Sequence, residues 1–257
     1  VTTRQGRHLE WDGVFNARDL GGLPAPEGSR TRWGAVVRAD SLSNLTEAGW
    51  EELLDHGVRT IIDLRNKEEL SGDYAPRPSS LQTVHLPLDV NEDREFWDVW
   101  ESGPQFATPL YYGPHIQRFA QRNAEVVAAI AQARPGGVAF HCVGGRDRCG
   151  QVAMLLLALL KIEPSVIAAD YSLSAQRLRP LYQARGEEDQ APALEAALRE
   201  RGTNAQQVIE GTLEEINVEA VLRGGGLSSS DIQRLRARMI DPGALTDCRQ
   251  ARDSNAR

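Results

Sequence analysis

A chain of 257 residues that is 41% hydrophobic and 25% charged can bury the core of one α/β domain, and this composition fits a soluble globular protein and not a disordered or membrane-spanning one. The formal net charge of -7 argues against a nucleic-acid partner, because such binding rests on many phosphate-neutralising cations. The longest apolar run, Val152 to Leu160, is shorter than the roughly 20 residues of a membrane span, so stable membrane insertion is not expected.

The first residues, Val1 to His8, lack the apolar stretch and small-residue cleavage site of an export signal, which predicts a cytoplasmic protein. After the Pro/Gly/Ser loop Pro24 to Arg30, Trp33 to Arg38 reads as a short strand, and Thr46 is placed to cap a helix that runs to His56 and stops at Gly57. Strands follow at Val58 to Leu64 and Thr83 to Leu88. Between Asp89 and Tyr112, six aromatic residues, among them Phe96, Trp97 and Phe106, lack a clear period. That segment reads either as a lid or as an irregular connection anchored to the core by its rings. A long helix is expected from about Pro114, with Ile116, Phe119, Val126, Val127 and Ile130 on one face, ending at Pro135-Gly136-Gly137.

Val138 to Phe140 reads as the last strand and Arg148 to Leu160 as the apolar helix after it. Alternation of strands and helices predicts an α/β fold with a central, mostly parallel sheet flanked by helices. The remaining third reads as helices only, near Pro164 to Ser174, Ala191 to Arg201, Asn204 to Leu222 and Ser229 to Ile240. One domain over residues 1–240 is expected, with 241–257 as a disordered tail.

The chemistry concentrates in His141-Cys142-Val143-Gly144-Gly145-Arg146-Asp147-Arg148-Cys149-Gly150. Cys142 leaves a strand end and the chain returns at once into a helix, with Gly144 and Gly145 allowing a tight turn. Such a loop, formed by Val143, Gly144, Gly145 and Arg146, aims several backbone N–H groups inward and adds the positive end of the helix, which suits a tetrahedral dianion. The same field lowers the pKa of Cys142 and makes it a nucleophile. Arg148 offers a planar fork for two phosphate oxygens. Asp147 is the nearest carboxyl group to protonate a leaving group, and Asp63, at the end of its strand on the same sheet edge, is the second candidate. His141 reads as an orienter of the loop, and Arg146 either as a second substrate contact or as a solvated charge. The three cysteines show neither metal-ligand nor disulfide spacing, so no metal or other cofactor is expected, and Cys248 reads as buried or in the tail.

With these residues in hand, the chain resembles the Cys-X5-Arg superfamily of tyrosine and dual-specificity phosphatases. It is most similar to the bacterial branch of atypical tyrosine and lipid phosphatases. Asn16-Ala17-Arg18-Asp19-Leu20-Gly21-Gly22, Arg38-Ala39-Asp40, Ile62-Asp63-Leu64-Arg65, His141 to Gly150 and Ala169-Asp170-Tyr171 stand in the same order as that branch's landmarks. The resemblance implies metal-independent hydrolysis of phosphate monoesters through a phosphocysteine on Cys142, with Asp147 as general acid. The substrates it implies are phosphotyrosine, phosphoserine or phosphothreonine, phosphoinositides, or small phosphorylated metabolites. Arg18 and Arg65 are counted with the loop as expected substrate contacts. Two positions depart from the branch, which usually has Lys in place of Arg146 and Thr or Ser in place of Cys149. The weaker donor at Cys149 implies a slower second step.

Two other readings compete. A sulfurtransferase of the rhodanese type also sets a Cys in a strand-to-helix nest, although Arg148 and Asp147 suit phosphate better. The other is a pseudophosphatase that holds phosphopeptides without turning them over.

Overall fold

A computed structural model describes residues 6–103 and 105–241. In chain order its elements are β1 (Arg18–Asp19), β2 (Arg30–Thr31), β3 (Val36–Ala39), α1 (Glu47–Asp55), β4 (Val58–Asp63), β5 (Gln82–His85), α2 (Arg94–Trp100), α3 (Tyr112–Arg118) and α4 (Ala120–Gln132). They continue with β6 (Gly137–His141), α5 (Asp147–Leu159), α6 (Pro164–Arg185), α7 (Ala191–Glu200), α8 (Ala205–Glu215), α9 (Val218–Gly224), α10 (Ser229–Met239) and β7 (Ile240–Asp241). The main sheet has the order β1-β3-β6-β4-β5, parallel except for β1. The expected α/β fold with a helical C-terminal third is what the structure shows.

Alternation along the strands divides the core. Val36, Ile62, Val138 and Phe140 face α4 and α5, whereas Val37, Ala39, Ile61 and Ala139 face Trp50 and Leu53 of α1 together with Trp11. Burial on both faces explains why these strands read as near-continuous apolar runs. The register sets Ala39 and Asp63 beside His141, and His85 beside Asp63, so four strand ends share one edge. In α/β sheets that edge is where ligands bind.

Thr46 accepts a hydrogen bond from Gly49 N–H and caps α1, and Gly57 takes φ +99 just beyond its end. Loss of such a cap costs about 1 kcal/mol. Thr46→Ala is therefore expected to lower stability by about that amount in denaturant titration.

Several expected elements differ in extent. The long helix from about Pro114 is two helices, because Phe119 (φ -112, ψ 41) leaves helical geometry and its carbonyl accepts from the Asn123 side chain. The helix expected to end at Ser174 runs to Arg185 through Pro180 and stops at Gly186 with φ +66, because Leu178, Leu181 and Tyr182 gain a packing partner in Phe15. Asn204 to Leu222 divides at Asn217, whose side chain caps α9. The C-terminal third is also not wholly helical, since β7 pairs antiparallel with β2. The tail expected over 241–257 lies outside the described residues beyond Asp241, as does Cys248. Among the described residues no helix is long and apolar enough to cross a membrane.

Candidate active site

Cys142 follows β6 directly, and the loop through Arg146 enters α5 at Asp147. Gly145 takes φ +68, and a Cβ there would lie 2.6 Å from the backbone of Ala39 and Asp40, so the close approach of loop to β3 needs glycine. Gly145 N–H donates to Cys142 Sγ at 3.2 Å, and the Cys149 thiol, on the first turn of α5, donates to the same sulfur at 3.5 Å. The Cys142 pKa is lowered from 9.0 to about 6, chiefly by the hydrogen bond from Cys149; burial opposes this, and Arg148 adds to it. The sulfur is therefore mostly thiolate at neutral pH.

The loop is held from behind. Val143 O accepts from Ser41 N–H (3.1 Å), Gly144 O from the Asn16 amide (2.9 Å), and Gly145 O and Arg146 O from Arg38 (2.8 and 3.0 Å). Four successive carbonyls are thus satisfied on the outer side, which frees the loop's amides for an anion on the inner side. Asp40 accepts from Phe15 and Asn16 N–H, and Asp170 ties Arg18, Arg38 and Arg7 together. Burial opposes ionisation of Asp170, but the three guanidiniums outweigh it and hold the carboxyl well below its usual range. His141 lies at the base, with Nδ1 3.3 Å from Cys142 O. That carbonyl selects the Nδ1–H tautomer.

Cys142 opens into a cavity of about 450 Å³ that Val143, Gly144, Arg146, Asp147 and Arg148 also line. A larger cleft of about 980 Å³ lies at the opposite strand ends, beside Gly57 and Gly137. Arg148 forms a bidentate pair with Glu69 and turns its Nε–H toward Asp89, which leaves two of its five N–H groups for an oxyanion. Arg146 reaches Asp147 (3.2 Å) and the hydroxyl of Tyr182 (3.4 Å). Phe96, Trp97, Tyr111 and Tyr112 anchor the aromatic segment in the core, while Phe106 remains 48% exposed on the cavity wall.

Three expected site residues are not brought to this cavity. Arg18 is fully buried and pairs with Asp170, Asn16 and Ser174, so it backs the loop instead of facing a substrate. Arg65 is turned onto Asp63 (2.7 Å) and Ser41, and the pair sits beneath the loop. Burial of Asp63 opposes its ionisation, but the hydrogen bonds from Arg65 leave its pKa below the ordinary value.

Two carboxylates on the wall were not foreseen. Glu69 closes a capping box with Asn66 while it holds Arg148, and the Asn-x-x-Glu spacing is the signal that could have found it. Asp89 lies four positions past the end of β5, with Oδ2 3.5 Å from Arg148 Nε and 3.3 Å from the Asn66 amide. Burial raises its pKa to about 6 against the pull of Arg148. Its Oδ1 lies 3.9 Å from His115 Nε2, and His115 Nδ1 accepts from the Gln151 amide at 2.8 Å, so the His115 proton is on Nε2 and faces Asp89. The signal for Asp89 was its place just beyond a parallel strand on the binding edge.

A family model described as "Tyrosine phosphatase family" matches residues 9–241. A putative tyrosine-protein phosphatase, H16_A0669 of Cupriavidus necator, is 34% identical over 180 residues, 67% of this chain and 65% of that protein. A tyrosine-protein phosphatase of Nostoc commune is 32% identical over 149 residues, 56% of this chain and 49% of its own length. The triple specificity protein phosphatase PtpB of Mycobacterium tuberculosis is 25% identical over 279 aligned positions, covering 90% of this chain and 98% of that protein. This chain thus spans less than two thirds of the first two relatives.

Proposed function

The chain belongs to the tyrosine phosphatase family, and from that premise we propose that it hydrolyses phosphate monoesters through a phosphocysteine on Cys142. The observation that carries this reading is a thiolate-stabilised sulfur that opens into the cavity from a loop whose four carbonyls are all held on the far side. Cys142 attacks phosphorus in line, and the charge on the three equatorial oxygens is met by the inward amides and Arg148. Because loop and arginine supply that positive field themselves, the reaction is proposed to need no metal. Water then attacks the phosphocysteine, phosphate departs, and Cys142 leaves as thiolate with the Cys149 thiol donating to it. A sulfurtransferase reading gives the Arg148–Glu69 pair no task.

Asp89 is the stronger proposal for the general acid. Its raised pKa keeps a share of it protonated near neutrality, and its Oδ2 faces Arg148 while Oδ1 faces the buried His115. Asp147 remains a proposal from its place in the loop, although Arg146 occupies its carboxylate; Asp63 is committed to Arg65. The two wall groups set the pH dependence. Activity needs Cys142 deprotonated and Asp89 protonated, and with both near 6 the rate should fall below about 6 as the thiolate is lost and above it as the acid is lost. A bell-shaped kcat/KM profile centred near pH 6 is expected. Asp89→Asn should flatten its alkaline limb and slow alkyl phosphates more than nitrophenyl phosphate, because a poor leaving group depends more on the proton. The substrate's second ionisation, also near about 6, shapes the acid limb equally in both proteins. If Asp147→Asn shows this pattern and Asp89→Asn does not, the acid is Asp147.

The proposed substrates are phosphotyrosyl proteins, with phosphoserine or phosphothreonine, phosphoinositides and small phosphorylated metabolites as the further classes. The aromatic wall of Trp97, Phe106 and Tyr111 favours an aryl ester. The test is phosphate release from a panel of all four classes with a chelator present. Release from the aryl ester, undiminished by chelator, is expected; no release from any member would overturn the reading in favour of the pseudophosphatase.

A further inference from the structure

Two buried polar atoms meet face to face behind the cavity wall. Asp89 Oδ1 and His115 Nε2 lie 3.9 Å apart, and neither has a hydrogen-bond partner among the described residues. Buried polar groups are seldom left so, and packing alone does not select a pair aimed at each other. We propose that His115 is a positioning residue for the general acid, whose Nε2–H receives the carboxylate that forms on Asp89 as its proton leaves. The inference rests on the reading of Asp89 as that acid and adds to it a residue that never touches substrate.

His115 is neutral and held in one tautomer. It lies on α3 among the rings of Phe96, Trp97, Tyr111 and Phe119, with centroids 4.9 to 6.0 Å away, and has no exposed surface. Burial in that cage drives its pKa from 6.5 down to about 3, so it carries no charge near neutrality. On α4 the Asn123 amide donates to Phe119 O (2.9 Å), so Asn123 Oδ1 must accept. Gln151 of α5 therefore presents its NH₂ group, one hydrogen to Asn123 Oδ1 (2.7 Å) and the other to His115 Nδ1 (2.8 Å). Three helices thus fix the ring with its N–H toward Asp89.

A neutral donor is what an acid at this place needs. An imidazolium there would hold Asp89 ionised and leave it no proton to give. Around the carboxyl, Arg148 Nε (3.5 Å) and the Asn66 amide (3.3 Å) favour the ionised form, whereas burial, Glu69 and Asp147 oppose it. Both of those donors stand on the Oδ2 side, which leaves the inner oxygen to His115. In the reaction the Oδ2 proton passes to the bridging oxygen of the ester as its bond to phosphorus breaks, and negative charge spreads over both carboxylate oxygens. Approach of Oδ1 to Nε2 by about 1 Å completes a hydrogen bond that the protonated acid lacks. That bond grows with the charge of the transition state, so it favours the chemical step over substrate binding. The His115 proton stays on nitrogen throughout.

The experiment compares pH profiles of wild type, Asp89→Asn, His115→Phe and His115→Gln on nitrophenyl phosphate and on an alkyl phosphate. Phenylalanine keeps the ring packing without the N–H, and glutamine supplies an amide N–H at nearly the reach of Nε2. In His115→Phe the alkaline limb should move up by about 0.5–1 pH unit, because the carboxylate has lost a donor. Its kcat on the alkyl phosphate should fall about tenfold with KM little changed, and nitrophenyl phosphate should be slowed less. His115→Gln should restore the limb and most of the rate. Equal losses in both variants on both substrates, with the limb unmoved, would reduce His115 to packing and overturn the proposal. Nitrogen-15 spectra of histidine-labelled wild type need no substitution: His115 should remain a neutral Nε2–H tautomer between about pH 5 and 8, and a protonated or Nδ1–H ring would also overturn it. An alkaline limb retained in Asp89→Asn overturns the acid assignment and this proposal with it. A limb lost in Asp89→Asn yet unmoved in His115→Phe overturns this proposal alone.

Discussion

Replacing Cys142 with serine is expected to lower kcat for an aryl phosphate by at least about 10⁴-fold while substrate binding stays measurable. A serine hydroxyl ionises far above the working pH, and a loop that lowers the thiol to about 6 does not bring an alkoxide within reach. The binding elements survive the change. The outward-held carbonyls and the Arg148–Glu69 pair depend on neighbours other than the sulfur. Single-turnover kinetics with calorimetric titration of a phosphate ester separates the two effects. A variant rate within tenfold of wild type would remove Cys142 from the mechanism, and loss of binding together with rate would show that the sulfur organises the nest.

Arg148→Lys is expected to cost roughly 10³-fold in kcat even though the charge is kept. The guanidinium lies in a plane fixed by two parallel bonds to Glu69, with the Nε edge toward Asp89. Lysine offers a point charge and cannot pair with Glu69 at both oxygens while also meeting two phosphate oxygens. The half-buried Glu69 carboxylate would then lose part of its compensation, so a stability loss of up to about 1 kcal/mol should accompany the rate loss. The same measurement on Glu69→Gln separates the two costs. If Glu69 acts by fixing the plane of Arg148, kcat should fall while KM moves little. A near-normal rate in Arg148→Lys would mean that the arginine serves only the ion pair.

The loop itself was legible because its chemistry is written in neighbouring residues. Cys142, the two glycines and Arg148 act over one turn, and a strand end followed by an apolar helix is visible as periodicity. Glu69 and Asp89 are brought to the same cavity from loops after two other strands, and no local spacing announces that meeting. Arg18 shows the converse limit. Its place among the landmark residues was visible, but whether a guanidinium faces a ligand or a buried carboxylate depends on Asp170, which arrives from α6. The fold followed the same division. Alternating burial fixed the central strands, whereas the break at Phe119 and the two-residue β7 depend on tertiary contacts that leave no periodic trace.

The backing of the loop also decides when in folding this site can exist. Asn16 reaches Gly144 across 128 positions, Arg38 reaches Gly145 across 107, and Arg18 reaches Asp170 across 152. Closures of that span are costly in chain entropy, and those from Asn16 and Arg38 must be in place for the carbonyls to be held outward. A peptide covering only residues 137–160 would carry the whole motif and none of the anion affinity. The nest is in effect a seal on the finished tertiary structure, and fraying of the N-terminal segment would silence it before the central sheet came apart.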